Sequence, residues 1–98
     1  MILAIDQGTT GTTCLVFDGE GRIAGRAYSE FQQFFPRPGW VEHDAAEIWH
    51  VTRGVAAEAI AAAGIEGYEL EAIGIANQRE TVVAWDPATG EPLHRALV

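Results

Sequence analysis

The segment from Asp6 to Thr13 (DQGTTGTT) combines a carboxylate, two glycines and four threonines between two apolar runs. Gly8 and Gly11 allow a tight turn and a close approach of the backbone to a ligand. Successive amides in such a turn bind an anion, and Asp6 suits Mg²⁺, which takes one or two carboxylates beside substrate phosphates. The segment is not a Walker A loop, since no Gly-Lys-Ser/Thr follows. From the residues alone, a phosphate site and a solvated polar hairpin turn are equally favoured.

A second polar cluster, Asn77-Gln78-Arg79-Glu80, lies between two later apolar runs. Arg79 brings a rigid fork of donors, and Glu80 accepts hydrogen bonds when ionised. Neighbouring hydroxyls of a polyol both donate and accept, so this pair suits a polyol. Considered without other information, the cluster is better explained as a polar connection with a surface ion pair, which stabilises a protein by about 0–1 kcal/mol.

Other residues that could do chemistry have simpler explanations. Glu42, His43 and Asp44 carry metal-binding groups, but they are adjacent in the chain and Asp44 fits a helix cap, so we predict no metal site there. The single cysteine, Cys14, is predicted to be a small apolar residue of the core.

Three strands are predicted in the first third of the chain. Residues 2–5 and 14–17 are apolar runs, and residues 23–31 alternate apolar and polar side chains. Asp-Gly at residues 18–19 is a hairpin signal, so the three strands are expected to form an antiparallel meander. Prolines and glycines predict that residues 36–43 form a loop.

A helix and two further strands follow. Asp44 is predicted as the helix N-cap, with Glu47 completing a capping box and Gly64 ending the helix. Residues 72–76 and 81–85 are apolar and predict two strands. The predicted order is therefore β-β-β-α-β-β, an α/β arrangement.

Composition limits the class of protein. The 98 residues make one small domain, and 14 acidic residues against six arginines and no lysine give a net charge of −8. A nucleic-acid partner is excluded, because it requires a basic face. No apolar run reaches the roughly 18–20 residues of a membrane span, and the N-terminus lacks the basic region of a signal peptide. We therefore expect a cytoplasmic protein with no membrane partner.

Three segments, in order along the chain, resemble one family. They are AIDQGTTGTT (4–13), PGWVEHDAAEIW (38–49) and IGIANQRETVVAWDPATGEPLHRALV (73–98). Together they resemble the N-terminal region of the FGGY carbohydrate kinases, and PGWVEHD with NQRET resembles the glycerol kinases among them. The resemblance implies an actin/hexokinase/Hsp70-like (ribonuclease H-like) α/β fold, with residues 1–98 as a truncated part of its first domain.

The resemblance also implies roles for particular residues. Asp6 is implied to lie near Mg²⁺ and to hold it through water. Thr9, Thr10 and Gly11 are implied to contact the ATP phosphates, and Arg79 and Glu80 the glycerol hydroxyls. It therefore favours a binding role for Arg79 and Glu80 over a surface ion pair.

The implied activity is ATP-dependent, Mg²⁺-requiring phosphorylation of glycerol to sn-glycerol 3-phosphate. The alternatives are another sugar kinase of the family, acting on a pentulose or a gluconate-like acid, and a non-catalytic actin-like binding module. Members of the family are several times longer. The resemblance implies that the general base and the ATP-binding second domain lie outside residues 1–98, so we expect no activity from these residues alone, and a homo-oligomer for the full-length parent.

The sequence departs from the family pattern at three positions. Gly11 stands where Ser is common, Thr13 where Arg is common and Ala76 where Thr is frequent. An Arg at position 13 would add a fixed positive charge near phosphate, so its absence is expected to weaken nucleotide binding.

Overall fold

The computed structural model describes all residues, Met1–Val98, and contains a four-stranded sheet with a helix packed on one face. The strands are β1 (Ile2–Gln7), β2 (Gly11–Phe17), β3 (Ile23–Glu30), β4 (Glu42–His43), β5 (Ala72–Asn77) and β6 (Ala96–Leu97), and the helices are α1 (Ala45–Ala62) and a 3₁₀ turn at Gly67–Glu69. The meander, the helix and the strand that follows it confirm the predicted α/β class. No helix of the structure combines the length and apolar character that crossing a membrane requires.

Strands β1, β2 and β3 form the predicted antiparallel meander. The turn between β2 and β3 is held by Asp18, whose carboxylate accepts from the backbone N–H groups of Glu20 and Arg22, both at 2.9 Å. These bonds lower the pKa of Asp18 below its ordinary value, and the bond from the Arg22 N–H has the largest effect. The Asp-Gly signal therefore marks a turn that the aspartate itself stabilises.

Helix α1 begins as predicted but lacks the full capping box. The Asp44 carboxylate accepts from the N–H groups of Ala46 at 2.9 Å and Glu47 at 3.3 Å. The Glu47 carboxylate does not return to the cap residue; it accepts from the N–H of Gln32 at 3.0 Å. This contact attaches the segment after β3 to the first turn of the helix.

The C-terminal end of α1 is closed at Gly64, as predicted. Gly64 has a φ of 69° and donates its N–H to Ala61 O, while Ile65 donates to Ile60 O at 3.4 Å. This pair of bonds is the Schellman arrangement, which satisfies carbonyl groups at the helix end.

Strand β5 lies beside β1 and parallel to it, which gives the sheet order β3-β2-β1-β5. Parallel neighbours need a crossover connection, and α1 provides it. The pairing sets Gln7 beside Asn77, so the loops that follow β1 and β5 leave the sheet at the same edge. Both predicted binding segments are in these loops.

Two predictions for the later chain were wrong. Residues 81–85 form no strand, because only isolated bridges hold them, from Val82 to Leu97 and from Trp85 to Pro92. The chain turns back at residues 86–90, where Gly90 donates its N–H to Asp86 O at 2.7 Å, and this apolar segment pairs with no strand over its length. The last two residues of the predicted loop at 36–43 form β4, which pairs with β6.

The core lies between α1 and the meander. Leu3, Cys14 and Val16 of the sheet pack with Val55 and Ala59 of the helix, and all five are buried. Cys14 is thus a core residue, as predicted, and burial raises the pKa of its thiol.

Gly25 is required by the contact between β3 and α1. A Cβ there would lie 2.6 Å from Ala63 N and closer still to Ala59 O, both backbone atoms of the helix end. Gly25→Ala is therefore expected to force the helix off the sheet and lower the free energy of unfolding by about 1–3 kcal/mol. Urea unfolding of the full-length protein measures this. Gly74→Ala on β5 is the matched control, because an added Cβ meets nothing within 4 Å there; equal losses for both variants would contradict the packing argument.

Candidate functional site

The loop between β1 and β2 presents unpaired backbone donors at the sheet edge. Gly8 donates its N–H to Gly11 O at 2.9 Å, and Gln7 Nε2 donates to Gly8 O at 2.8 Å, so the turn is closed internally. The N–H groups of Thr9 and Thr10 donate to no group of the chain, and both residues are exposed. Amides and hydroxyls arranged in this way can bind an anion.

Gly11 allows a close approach of β3 to this loop. A Cβ at position 11 would lie 2.5 Å from Ser29 O and 2.7 Å from the Tyr28 hydroxyl oxygen. Any side chain at this position would therefore require β3 to move. The Tyr28 hydroxyl takes up the space that a side chain at position 11 would fill.

Asp6 lies at the end of β1, exposed and opposite Thr13 in the strand register. Its carboxylate forms no ion pair within the chain, and it borders an open cavity of about 370 Å³ with Ala76. No group of three or more His, Cys, Asp or Glu residues surrounds it. A lone carboxylate fits Mg²⁺, which completes its shell with water and phosphate oxygens, and does not fit a metal held by the protein alone.

Arg79 and Glu80 lie in the exposed turn that follows β5. They form no salt bridge with each other, so the surface ion pair that the residues alone favoured is not present. Glu80 has a φ of 63°, the one positive φ at a residue other than glycine in the chain. Such a conformation costs on the order of 1–3 kcal/mol and is concentrated at functional sites.

His43 is a residue that the sequence reasoning gave no role except as a rejected metal ligand. It is fully buried on β4, with its Nε2 2.6 Å from Gln33 Oε1, its Nδ1 3.4 Å from Gln78 Nε2, and its ring edge-on to Phe31 at 4.8 Å. Its neighbour Glu42 is also buried, and Glu42 Oε1 forms a salt bridge with Arg95 Nη1 at 3.6 Å. No spacing pattern marks His43, since its partners come from distant parts of the chain.

Burial lowers the pKa of His43 below its ordinary value of 6.5, with partial opposition from the Glu47 carboxylate. Below that value the unfolded chain binds this proton more readily than the folded chain. The free energy of unfolding is therefore expected to fall as the pH decreases below about 6.5 and through the folded pKa of His43. Well above pH 6.5 the ring is neutral in both states and adds no pH dependence.

Melting temperatures of the full-length protein between about pH 7.5 and pH 5 measure this effect. His43→Gln, which has no titrating ring, is expected to lose that part of the pH dependence. His50→Gln is the control, because His50 is exposed on α1 and should leave the profile unchanged. Parallel profiles for wild type and His43→Gln would rule out a buried neutral ring.

The whole chain, residues 1–98, matches the model of the N-terminal domain of the FGGY family of carbohydrate kinases. It is 58% identical over 97 residues to the glycerol kinase of Sinorhizobium fredii (strain NBRC 101917 / NGR234), covering 99% of this chain and 20% of that protein. It is 57% identical over 97 residues to the glycerol kinase of Deinococcus radiodurans, covering 99% of this chain and 19% of that protein. The chain thus spans about a fifth of the length of these relatives.

Solved structures of sugar kinases share the fold. The glycerol kinase of Plasmodium falciparum, crystallised with ADP, superposes with a TM-score of 0.89 at 37% identity, over 99% of this chain and 20% of that one. A xylulose kinase from Lactobacillus acidophilus superposes with a TM-score of 0.88 at 20% identity, over 99% of this chain and 19% of that one, which is a likeness of fold alone. These likenesses agree with the sugar-kinase type of fold expected from the sequence.

Proposed function

The chain belongs to the FGGY family of carbohydrate kinases, and on this premise we propose that it is the N-terminal part of a glycerol kinase. The proposed reaction transfers the terminal phosphoryl group of ATP to glycerol, giving ADP and sn-glycerol 3-phosphate. Identities of 53–58% to proteins named glycerol kinase support glycerol as the acceptor. The nucleotide assignment is supported by the ADP in the related crystal structure.

The observation that carries the proposal is the meeting of two loops at one sheet edge. Strands β1 and β5 are parallel neighbours, with Gln7 beside Asn77, so Thr9–Thr10 and Arg79–Glu80 follow from adjacent strand ends. Phosphoryl transfer depends mainly on holding donor and acceptor in line and close together. A phosphate-binding loop beside a polyol-binding loop meets that requirement.

On the phosphate side, we assign Thr9, Thr10 and Gly11 to the ATP phosphates. The support is that the N–H groups of Thr9 and Thr10 are unpaired and exposed. We assign Asp6 to Mg²⁺, held through water. When bound, the ion neutralises charge on the transferring phosphoryl group.

On the acceptor side, we assign Arg79 and Glu80 to the glycerol hydroxyls. The support is that both side chains are exposed and unpaired with each other, so neither must break an internal ion pair to bind a ligand. Arg79 donates to a hydroxyl oxygen, Glu80 accepts from a hydroxyl hydrogen, and the two together orient the polyol.

Residues 1–98 are proposed to form part of the first domain. The general base and the second, ATP-binding domain are assigned to the rest of the full-length protein. The cytoplasmic location and the homo-oligomer stay predictions.

Glycerol-dependent release of ADP tests the proposal. The full-length protein is expected to release ADP when glycerol is added, and residues 1–98 alone are expected to show no turnover above background. A full-length protein that prefers a pentulose or a gluconate-like acid in a substrate panel would establish a different sugar kinase of the family. Nucleotide binding without turnover on any sugar or polyol would favour the non-catalytic actin-like module.

A further inference from the structure

A series of polar contacts joins the two halves of the proposed site by way of the buried side chain of His43. Gln33 Nε2 donates to Thr9 O in the β1–β2 loop at 2.9 Å. The other end of the same amide, Gln33 Oε1, lies 2.6 Å from His43 Nε2. On the far side of the ring, Gln78 Nε2 lies 3.4 Å from His43 Nδ1. Gln78 directly precedes Arg79 in the sequence.

In this series of contacts each group donates in the direction that leads from Gln78 to Thr9. Because Gln33 Nε2 donates to Thr9 O, the atom that faces His43 is a carbonyl oxygen, which can only accept. His43 Nε2 therefore carries the ring proton and donates it. Nδ1 of the neutral ring is then an acceptor for Gln78 Nε2, so each ring nitrogen serves one half of the site.

The burial of His43 makes the two contacts of its own ring hard to replace with water. His43 is fully buried, and Phe31, which packs edge-on against the ring, is nearly so. Gln78 Oε1 is buried as well and has no partner in the chain. The bond to His43 is thus the one side-chain hydrogen bond that holds the Gln78 amide in place.

We propose that His43 is a positioning residue that holds the phosphate loop, through Gln33, and the acceptor loop, through Gln78, in a fixed relation to each other. The proposal rests on the proposed function, because it assigns nucleotide to one loop and glycerol to the other. His43 touches neither substrate in this scheme. It acts on Thr9 through one amide and on Arg79 through the neighbouring residue.

Two amide substitutions separate the two contacts. In His43→Gln the side-chain nitrogen reaches the place of Nε2, so it keeps the bond to Gln33 and loses the bond to Gln78. In His43→Asn the side-chain oxygen takes the place of Nδ1, so it keeps the bond to Gln78 and loses the bond to Gln33. His50→Gln and His50→Asn are the matched controls, because His50 is exposed on α1.

Steady-state kinetics of the full-length protein test the division. His43→Gln is expected to raise the KM for glycerol about 3- to 10-fold with the KM for ATP nearly unchanged, and His43→Asn is expected to do the reverse, as loss of one hydrogen bond implies. Melting temperatures of both variants are measured alongside. Equal changes in both KM values, whatever the melting temperatures, would mean that His43 acts only through general stability, and the proposal would be wrong.

Binding of ADP, measured by calorimetry without glycerol, separates this inference from the proposed function. If the wild type binds ADP but does not phosphorylate glycerol, the proposed substrate is wrong. The inference still stands if His43→Asn weakens ADP binding about 3- to 10-fold and His43→Gln does not. Equal ADP affinities for the two variants overturn it, as does a wild-type protein that binds no ADP.

Discussion

Asp6→Asn is expected to lower the kcat of the full-length protein by roughly 100-fold or more, because it removes the one carboxylate at the phosphate loop while keeping the shape of the side chain. The exposed Asp6 carboxylate has no cationic partner in the chain, so its charge is free to act on a ligand. The Mg²⁺ concentration for half-maximal activity is expected to rise in the same variant. Initial rates over a range of Mg²⁺ and ATP concentrations measure both changes.

Asp18→Asn is the matched control for that substitution. Asp18 closes the turn between β2 and β3, where its carboxylate accepts from two backbone N–H groups and pairs with Arg22 at 3.0 Å. Asparagine keeps an acceptor there, and kcat is expected to stay within about twofold of wild type. If Asp6→Asn leaves kcat and the Mg²⁺ requirement as they are in the control, Asp6 has no role at the metal.

Local signals in the sequence predict the meander and the helix. Asp18 closes its own turn, Asp44 caps α1, and Gly64 ends it, and each uses partners within a few residues. A short-range pattern carries enough information for such features, because the side chain that marks the feature also makes the stabilising bond.

The same signals do not predict which strands become neighbours. The parallel pairing of β5 with β1 depends on α1 packing across the sheet, and β4 pairs with a β6 of two residues near the end of the chain. For residues 81–85 the apolar run was misleading. An apolar run does not by itself supply a partner strand, and in the structure this segment is bridged only at single positions, Val82 and Trp85.

For the site, the sequence indicates the chemistry of each loop but not their relation in space. DQGTT and NQRE each contain suitable donors and acceptors, yet it is the β1–β5 register that sets Gln7 beside Asn77. His43 could not be found in this way, because its partners Gln33 and Gln78 are 10 and 35 residues away. Gly11 is similar: its need for a bare Cα comes from Tyr28 and Ser29 on another strand.

Arg79→Ala in the full-length protein is expected to raise the KM for glycerol about 10- to 100-fold, since a hydrogen bond from a charged group contributes about 1.5–3 kcal/mol. The KM for ATP should change far less, because Thr9 and Thr10 are on the other loop and keep their unpaired amides. Arg79→Lys keeps the charge but loses the planar fork, so its KM for glycerol should lie between those of wild type and Arg79→Ala.

Arg53→Ala supplies the control for loss of an exposed arginine, because Arg53 lies on α1 over the ring of Trp49 and forms no ion pair with either loop. Neither KM is expected to change in that variant.

The assignment of Arg79 to glycerol requires a change in one KM and not the other. Because Arg79 follows Gln78 directly, a distortion of the loop would also disturb the contact with His43, and through Gln33 the phosphate loop. Equal increases in both KM values would therefore indicate a structural role for Arg79, and glycerol binding would have to be assigned to other residues.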